Sequence, residues 1–265
     1  MASTLELPVG QEQTVGHARP VAIVFGGAGG IGSPICRKLA EMGMSVVVGY
    51  NTSAGNAEAL AKSLAGKGHS ARRAPVTDTA ALAKLAEEIA KDYGRCDAIV
   101  NCAGTTRFVK HSDLSSLDDE LIDRILATNV RGAFATVRAF QSLLEKSTLP
   151  GGGVVVNLSS AAGNIGIGSN VMYCASKAAL DCMTKSLGRA LAPRIRVVSV
   201  APALVDTEFV KSLDKAWHDA QAASTPMGRL ATPEEIATAV AAVITTLTFT
   251  TGSILQVDGG RTLGV

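Results

Sequence analysis

The sequence predicts an α/β fold: one domain built on a parallel sheet of seven strands with helices on both faces. Short apolar runs alternate with helix-length segments from residue 21 onward. The apolar runs are continuous, as strands covered on both faces require, rather than alternating. No Pro/Gly/Ser-rich linker interrupts the series, and 265 residues suit one large domain.

Residues 21–25 form the first strand, because five apolar residues run straight into glycines. Helical periodicity follows over 31–42 until Gly43 stops it. The second strand is expected at 45–48 and a turn at 50–55. A helix over 57–65 ends at Gly66. A strand at 71–76 and a helix at 79–93 come next. Residues 97–101 make the fourth strand and lead into Ala103-Gly104. One long helix is expected from 118 to about 144. The glycines at 151–153 mark a turn before a strand at 154–158. A helix over 173–192, a strand over 195–200 and a strand over 253–257 complete the pattern. The segment at about 205–232 breaks the rhythm. It holds Trp217, Pro226 and a helical stretch over 209–223, and such an insertion beyond a strand end is placed to cover a ligand crevice.

Composition narrows the function. Hydrophobic residues make up 47% and charged residues 18%, which favours a sizeable core over disorder. The net charge is +2 with Lys and Arg scattered, so neither a nucleic-acid surface nor a polybasic membrane patch is expected. No apolar run reaches the roughly 18 residues of a membrane span. Residues 1–19 lack a basic stretch followed by an apolar one and are expected to be a flexible polar extension, not a secretory signal. The five cysteines show no C-x-x-C or Cys/His ligand spacing. They point to free thiols in a reducing cytoplasm and to no metal site.

Two patterns carry chemistry. Gly26-Gly-Ala-Gly-Gly30-Ile-Gly32 lies between the first strand and the first helix. Glycines there let backbone amides approach a pyrophosphate, and the helix N-terminus adds a favourable dipole. Further on, Tyr173 and Lys177 stand one helical turn apart, thirteen and seventeen residues after Ser160. A phenol beside an ammonium can exchange protons, and a hydroxyl beside it can hydrogen-bond a carbonyl oxygen.

Together these motifs resemble the short-chain dehydrogenase/reductase family over about residues 20–262. The resemblance implies a Rossmann-type doubly wound sheet and hydride transfer with a nicotinamide cofactor. It assigns Gly26, Gly30, Ile31 and Gly32 to the cofactor loop, with Phe25 where a Thr is usual. Asn101-Cys-Ala-Gly104 resembles the family's Asn-Asn-Ala-Gly element, so Asn101, Ala103 and Gly104 are expected beside the cofactor. Asn129 matches the helix asparagine that holds a water next to the lysine. Ser160 matches the substrate-orienting serine, Tyr173 the acid/base, and Lys177 the residue that binds the nicotinamide ribose. Pro202, Val205 and Thr207 fall in the segment that contacts carboxamide and phosphates, with Ala203 where Gly is usual.

At the end of the second strand stand Tyr50, Asn51 and Thr52, with no acid to repel a 2′-phosphate. NADP(H) is therefore favoured over NAD(H), although no Arg stands beside these residues. Pro75 replaces the usual adenine-binding Asp, which leaves Val76 or Asp78 for that task. The chain also resembles reductases of 3-oxoacyl groups on acyl carrier protein. Of two basic carrier-docking slots, one is Arg194 and the other is Gly151, so a small free ketone or secondary alcohol is the expected substrate. Phe108, Ile165, Ile167, Val171, Leu204, Phe209 and Trp217 are expected to line its pocket, with Arg107 and His111 at the rim. The family implies a homotetramer or homodimer. An NAD-linked alcohol dehydrogenase and a catalytically silent nucleotide-binding scaffold stay open as alternatives.

Overall fold

The strands are β1 (Val21–Phe25), β2 (Ser45–Tyr50), β3 (Ser70–Arg73), β4 (Ala98–Asn101), β5 (Gly153–Leu158), β6 (Ile195–Pro202) and β7 (Ile254–Val257), and all but β3 are formed by the apolar runs. They make one parallel sheet in the order β3-β2-β1-β4-β5-β6-β7. The structure, a computed structural model, describes residues 19–211 and 214–263, apart from the side chain of Phe209. Residues 1–18 of the expected extension lie outside the described residues. Arg19, its last residue, donates to the Lys67 carbonyl at 3.2 Å.

Chain direction explains where a ligand can bind. From β1 the chain winds outward through β2 to β3, then returns to the other side of β1 at β4. That reversal opens a crevice at the carboxyl ends of β1 and β4. β3 ends at Arg73, short of the expected residue 76. Pro75 has no amide proton to continue the ladder.

The helices are α1 (Gly32–Glu41), α2 (Ala54–Ser63), α3 (Thr79–Tyr93), α4 (Asp119–Leu126), α5 (Ala133–Leu144), α6 (Ala162–Ile165), α7 (Val171–Leu191), α8 (Glu208–Lys211), α9 (Lys215–Ala223) and α10 (Pro233–Thr245). Successive strand residues point to opposite faces. Val24, Val48, Val100 and Val156 pack under α1, α2 and α10 through residues such as Leu39, Leu60 and Val240. Ile23, Val47, Ile99 and Val155 pack under α3 and α5 through Ile89, Phe140 and Leu144. Phe25 and Phe140 meet edge to face, 5.9 Å between centroids. Each such fully buried side chain stabilises the fold by roughly 1.5–3 kcal/mol.

Two helical expectations are corrected. The long helix over 118–144 is interrupted by a π-helical turn over Ala127–Gly132. The helix α10 goes unnoticed in the periodicity, although its start is written in Thr232-Pro-Glu-Glu. Thr232 accepts from the Glu235 amide at 3.2 Å, and Glu235 accepts from the Thr232 amide at 2.8 Å, closing a capping box.

A chain of buried polar side chains crosses the sheet. Thr136 of α5 donates to Asn101 Oδ1 (2.7 Å), and Asn101 Nδ2 donates to Asn157 Oδ1 (2.9 Å). Asn157 Nδ2 donates to Thr184 Oγ1 of α7 (2.8 Å), which lies 2.8 Å from Ser199 Oγ of β6. All five residues are buried. Thr184→Val keeps the shape but strands Asn157 Nδ2 without an acceptor. The expected loss is about 1–3 kcal/mol, read as a lower urea midpoint at unchanged slope.

Candidate active site

Two clefts open at the carboxyl edge of the sheet. The first, about 730 Å³, is lined by Gly26, by Tyr50, Asn51 and Thr52, by Val76, and by Ala103 and Gly104. All seven were singled out in the sequence. Gly26 has φ +77°, and a Cβ there would stand 2.8 Å from the Ala103 amide nitrogen. At Gly32 a Cβ would stand 2.2 Å from the Gly26 carbonyl oxygen, so only glycine lets the helix start this close to the loop.

The start of α1 is built to receive an anion. No side chain caps it. The amides of Gly30 and Ile31 have no protein acceptor among the described residues. Free amides at a helix N-terminus suit a phosphate group. Gly30 also faces Thr207, whose Cβ would lie 3.2 Å from a Cβ on the glycine, so the segment after β6 closes over the loop.

Other expected residues turn their side chains or carbonyls elsewhere. Asn101 turns its side chain into the buried polar chain, away from the cleft. Ile31 packs its side chain against the core. Val205 is buried and bridges to Ala231, and the Pro202 carbonyl accepts from the Ala161 amide. Asp78 caps α3 by accepting from the Ala81 amide at 3.0 Å, which leaves Val76 at the cleft. An arginine missing from the sequence reading does line it: Arg124 of α4 is the only charged side chain there among the described residues. Cys102, also at this cleft, is pushed up to about 11 by burial, so its thiol stays protonated at neutral pH.

The second cleft, about 390 Å³, holds Ser160 and Tyr173 in its wall. Phe108, Ile165, Ile167, Leu204 and Trp217 line it, as expected. Phe108 and Trp217 meet edge to face at 6.4 Å. Val171 is exposed and stands outside the wall. The side chain of Phe209 lies outside the described residues. Neither Arg107 nor His111 is among the residues that line this cleft. Arg107 pairs with Asp118 at 3.0 Å, and His111 Nε2 lies 3.2 Å from the Gly168 carbonyl oxygen.

Tyr173 owes its position to Asn170, which sequence reasoning missed. Asn170 Oδ1 accepts from the Tyr173 amide (2.7 Å), capping α7. Its Nδ2 donates to the Arg107 carbonyl (2.8 Å) and to Thr106 Oγ1 (3.1 Å), which pins the helix start to the loop after β4. Lys177, one turn on, is buried, and its Nζ donates to the Leu158 carbonyl at 2.6 Å. Nζ lies 5.6 Å from the Tyr173 ring centroid. No carboxylate pairs with it among the described residues. A buried ammonium with one protein acceptor has two N–H donors to offer.

Asn129 sits in the π-helical turn. Its Oδ1 accepts from the Thr105 amide (2.8 Å), and its Nδ2 donates to the Thr105 carbonyl and Ser176 Oγ (both 3.1 Å). Ser176 in turn donates to the Tyr173 carbonyl (2.7 Å). A Cβ on Gly104 would lie 3.5 Å from Asn129 Oδ1 and 3.9 Å from Lys177 Nζ, so these groups converge on one glycine.

Known proteins resemble this chain over most of its length. The family model described as Enoyl-(Acyl carrier protein) reductase matches residues 26–262. A ketoacyl reductase of granaticin polyketide synthase from Streptomyces violaceoruber is 37% identical over 248 residues, 92% of this chain and 96% of that protein. A cis-4-hydroxycyclohexanecarboxylate dehydrogenase from Sinomonas cyclohexanicum is 36% identical over 249 residues, 92% and 97% of the two chains. The crystal structure of a short-chain dehydrogenase/reductase from Burkholderia xenovorans superposes with a TM-score of 0.85 at 31% identity, covering 94% of this chain and all of that one.

Asn170→Ala removes a helix cap and two loop ties at once. It is expected to destabilise the protein by about 1–2 kcal/mol and to slow turnover more than it weakens cofactor binding. Thermal melts and a cofactor titration beside steady-state rates check both.

Proposed function

The chain belongs to the short-chain dehydrogenase/reductase family, enzymes that interconvert CH–OH and C=O with NAD(P)(H), and from that premise we propose that it reduces a small free ketone with NADPH. One observation carries the reading. Tyr173 and Ser160 share the wall of the second cleft, and the buried Lys177 ammonium one turn behind the tyrosine lacks a carboxylate partner among the described residues.

A nicotinamide dinucleotide, when bound, would supply the hydride. The free amides of Gly30 and Ile31 would hold its pyrophosphate, and the spare Lys177 hydrogens would hold its ribose. Tyr173 donates its phenolic proton to the substrate oxygen, and Ser160 hydrogen-bonds that oxygen as charge develops. Ser160 Oγ already accepts from the Ala162 amide at 3.2 Å, which leaves its own proton to donate. Asn129 enters as a positioning residue, because both of its amide hydrogens go to protein acceptors.

The preference for NADPH rests on charge. Among the described residues no acid lines the first cleft, and Arg124 does. A dianionic 2′-phosphate is favoured by that cation and by the hydroxyl and amide groups of Tyr50, Asn51 and Thr52. A free substrate rather than a carrier-bound one is supported by the neutral turn at Gly151, which leaves exposed Arg194 without a second cation in the paired slot. Assembly as a cytoplasmic homotetramer or homodimer belongs to the same reading. Phe134, exposed on α5, supports pairing through that helix.

The test is a panel of ketones and secondary alcohols with both cofactors. Tyr173→Phe is expected to lower turnover about 100-fold or more with NADPH affinity retained; near-native turnover with every substrate overturns the assignment. Tyr50→Asp puts an acid at the end of β2. It is expected to cut kcat/KM for NADPH by about tenfold or more while NADH is little affected; an unchanged ratio rejects the NADPH reading.

A further inference from the structure

The second cleft is apolar around Phe108, Ile165, Ile167, Leu204 and Trp217, yet one charged side chain lines it among the described residues: Arg261. The residue comes from the turn after β7, far from the catalytic motifs in sequence. Its guanidinium donates to the Gln221 carbonyl (3.1 Å), to Thr225 Oγ1 (3.3 Å) and to Gln221 Oε1. All three acceptors are neutral. No carboxylate pairs with Arg261 among the described residues. Its Nε–H and one Nη2 hydrogen find no acceptor there either.

The turn that presents Arg261 is tightly built. Asp258 accepts from the Gly260 amide (2.9 Å), the Thr262 amide (3.0 Å) and the Thr262 hydroxyl (2.6 Å). Gly259 and Gly260 take φ of +62° and +85°, which other residues rarely adopt. Arg261 is therefore held in place from its backbone and from Gln221 of α9, before any ligand arrives. A preorganised cation without a counter-ion, in a cleft whose other lining side chains are neutral, favours an anionic ligand group.

We infer that the substrate is an oxo acid, or the matching hydroxy acid, whose carboxylate is read by Arg261 across an apolar body from the carbonyl that meets Tyr173 and Ser160. This rests on the reductase reading for its reaction but not for its binding step. The cleft of about 390 Å³ suits a compact molecule.

The test compares 4-oxopentanoate and 4-oxocyclohexanecarboxylate with their methyl esters. Two readouts are used on the cofactor-loaded enzyme: NADPH consumption, and fluorescence of Trp217, the only tryptophan, with NADP⁺ bound. At least one acid is expected to outperform its ester about tenfold or more in kcat/KM and in binding. Arg261→Met is expected to erase that ratio, and Arg261→Lys to keep part of it. A purely structural role would weaken acid and ester alike, leaving the ratio intact, and would overturn the inference. So would equal handling of acids and esters by the unaltered enzyme. If an acid binds preferentially but no NADPH is consumed, the reductase reading falls and the carboxylate site stands. If ketones are reduced with no preference for acids, the carboxylate site alone falls.

Discussion

The buried hydrogen-bond chain through Asn101, Asn157 and Thr184 sets the geometry on which everything else depends. It joins β4, β5 and α7, with Thr136 of α5 at one end and Ser199 of β6 at the other. Amides and hydroxyls sealed from water must find partners, and a shifted helix would leave several without one. Hydrophobic packing alone is tolerant, because one valine can replace another under a helix. The polar chain is not tolerant, so it fixes how far α7 is inserted along the sheet. Thr184 lies seven residues, about two turns, after Lys177 and therefore on the same helix face. Anchoring one anchors the other.

From that anchor the proposed catalytic groups follow by short links. The Lys177 ammonium reaches the Leu158 carbonyl at the end of β5. Ser176, beside it, ties the Tyr173 carbonyl to Asn129. The π-helical turn widens the helix by one residue locally and lets Asn129 face both Thr105 and Ser176. Gly104 has no side chain where Asn129 and Lys177 come together, and that absence keeps the junction open. Each link is a single hydrogen bond or a missing methyl, so the site's precision is inherited from the core instead of being built separately.

What could be read from the sequence divides along the same line. The sequence pattern announced all seven strands and most of the helices, because burial on both faces leaves a strong mark. The π-helical turn left none, since Ala127–Gly132 continues the apolar spacing on either side. The start of α10 was marked by its capping box, but its run of alanines and valines blurs the helical period. Asn101 was placed at the cofactor from a motif; its partner Asn157 lies 56 residues away, and no local pattern reveals that pairing. Arg124 and Arg261 escaped for the same reason. A charged residue gains meaning from the cleft it faces, and the cleft is assembled from distant segments.

In the proposed function, the division between rigid core and covering segment also separates reaction from selectivity. Tyr173, Lys177 and Asn129 stand on elements buried against the sheet. The helix α9 buries no residue fully. It is held by three side-chain ties: Trp217 against Phe108, His218 on Asp206 at 3.1 Å, and Gln221 under Arg261. An element with so little apolar burial opens at small free-energy cost compared with the core. Two of its ties, Trp217 and the Gln221–Arg261 pair, belong to the wall of the substrate cleft itself. A substrate that packs on Trp217 and bonds Arg261 would therefore add to the contacts that hold α9 down. In the proposed function such contacts would couple substrate binding to the packing of α9, and selectivity could change in this segment while Tyr173 and Lys177 stay fixed beneath it.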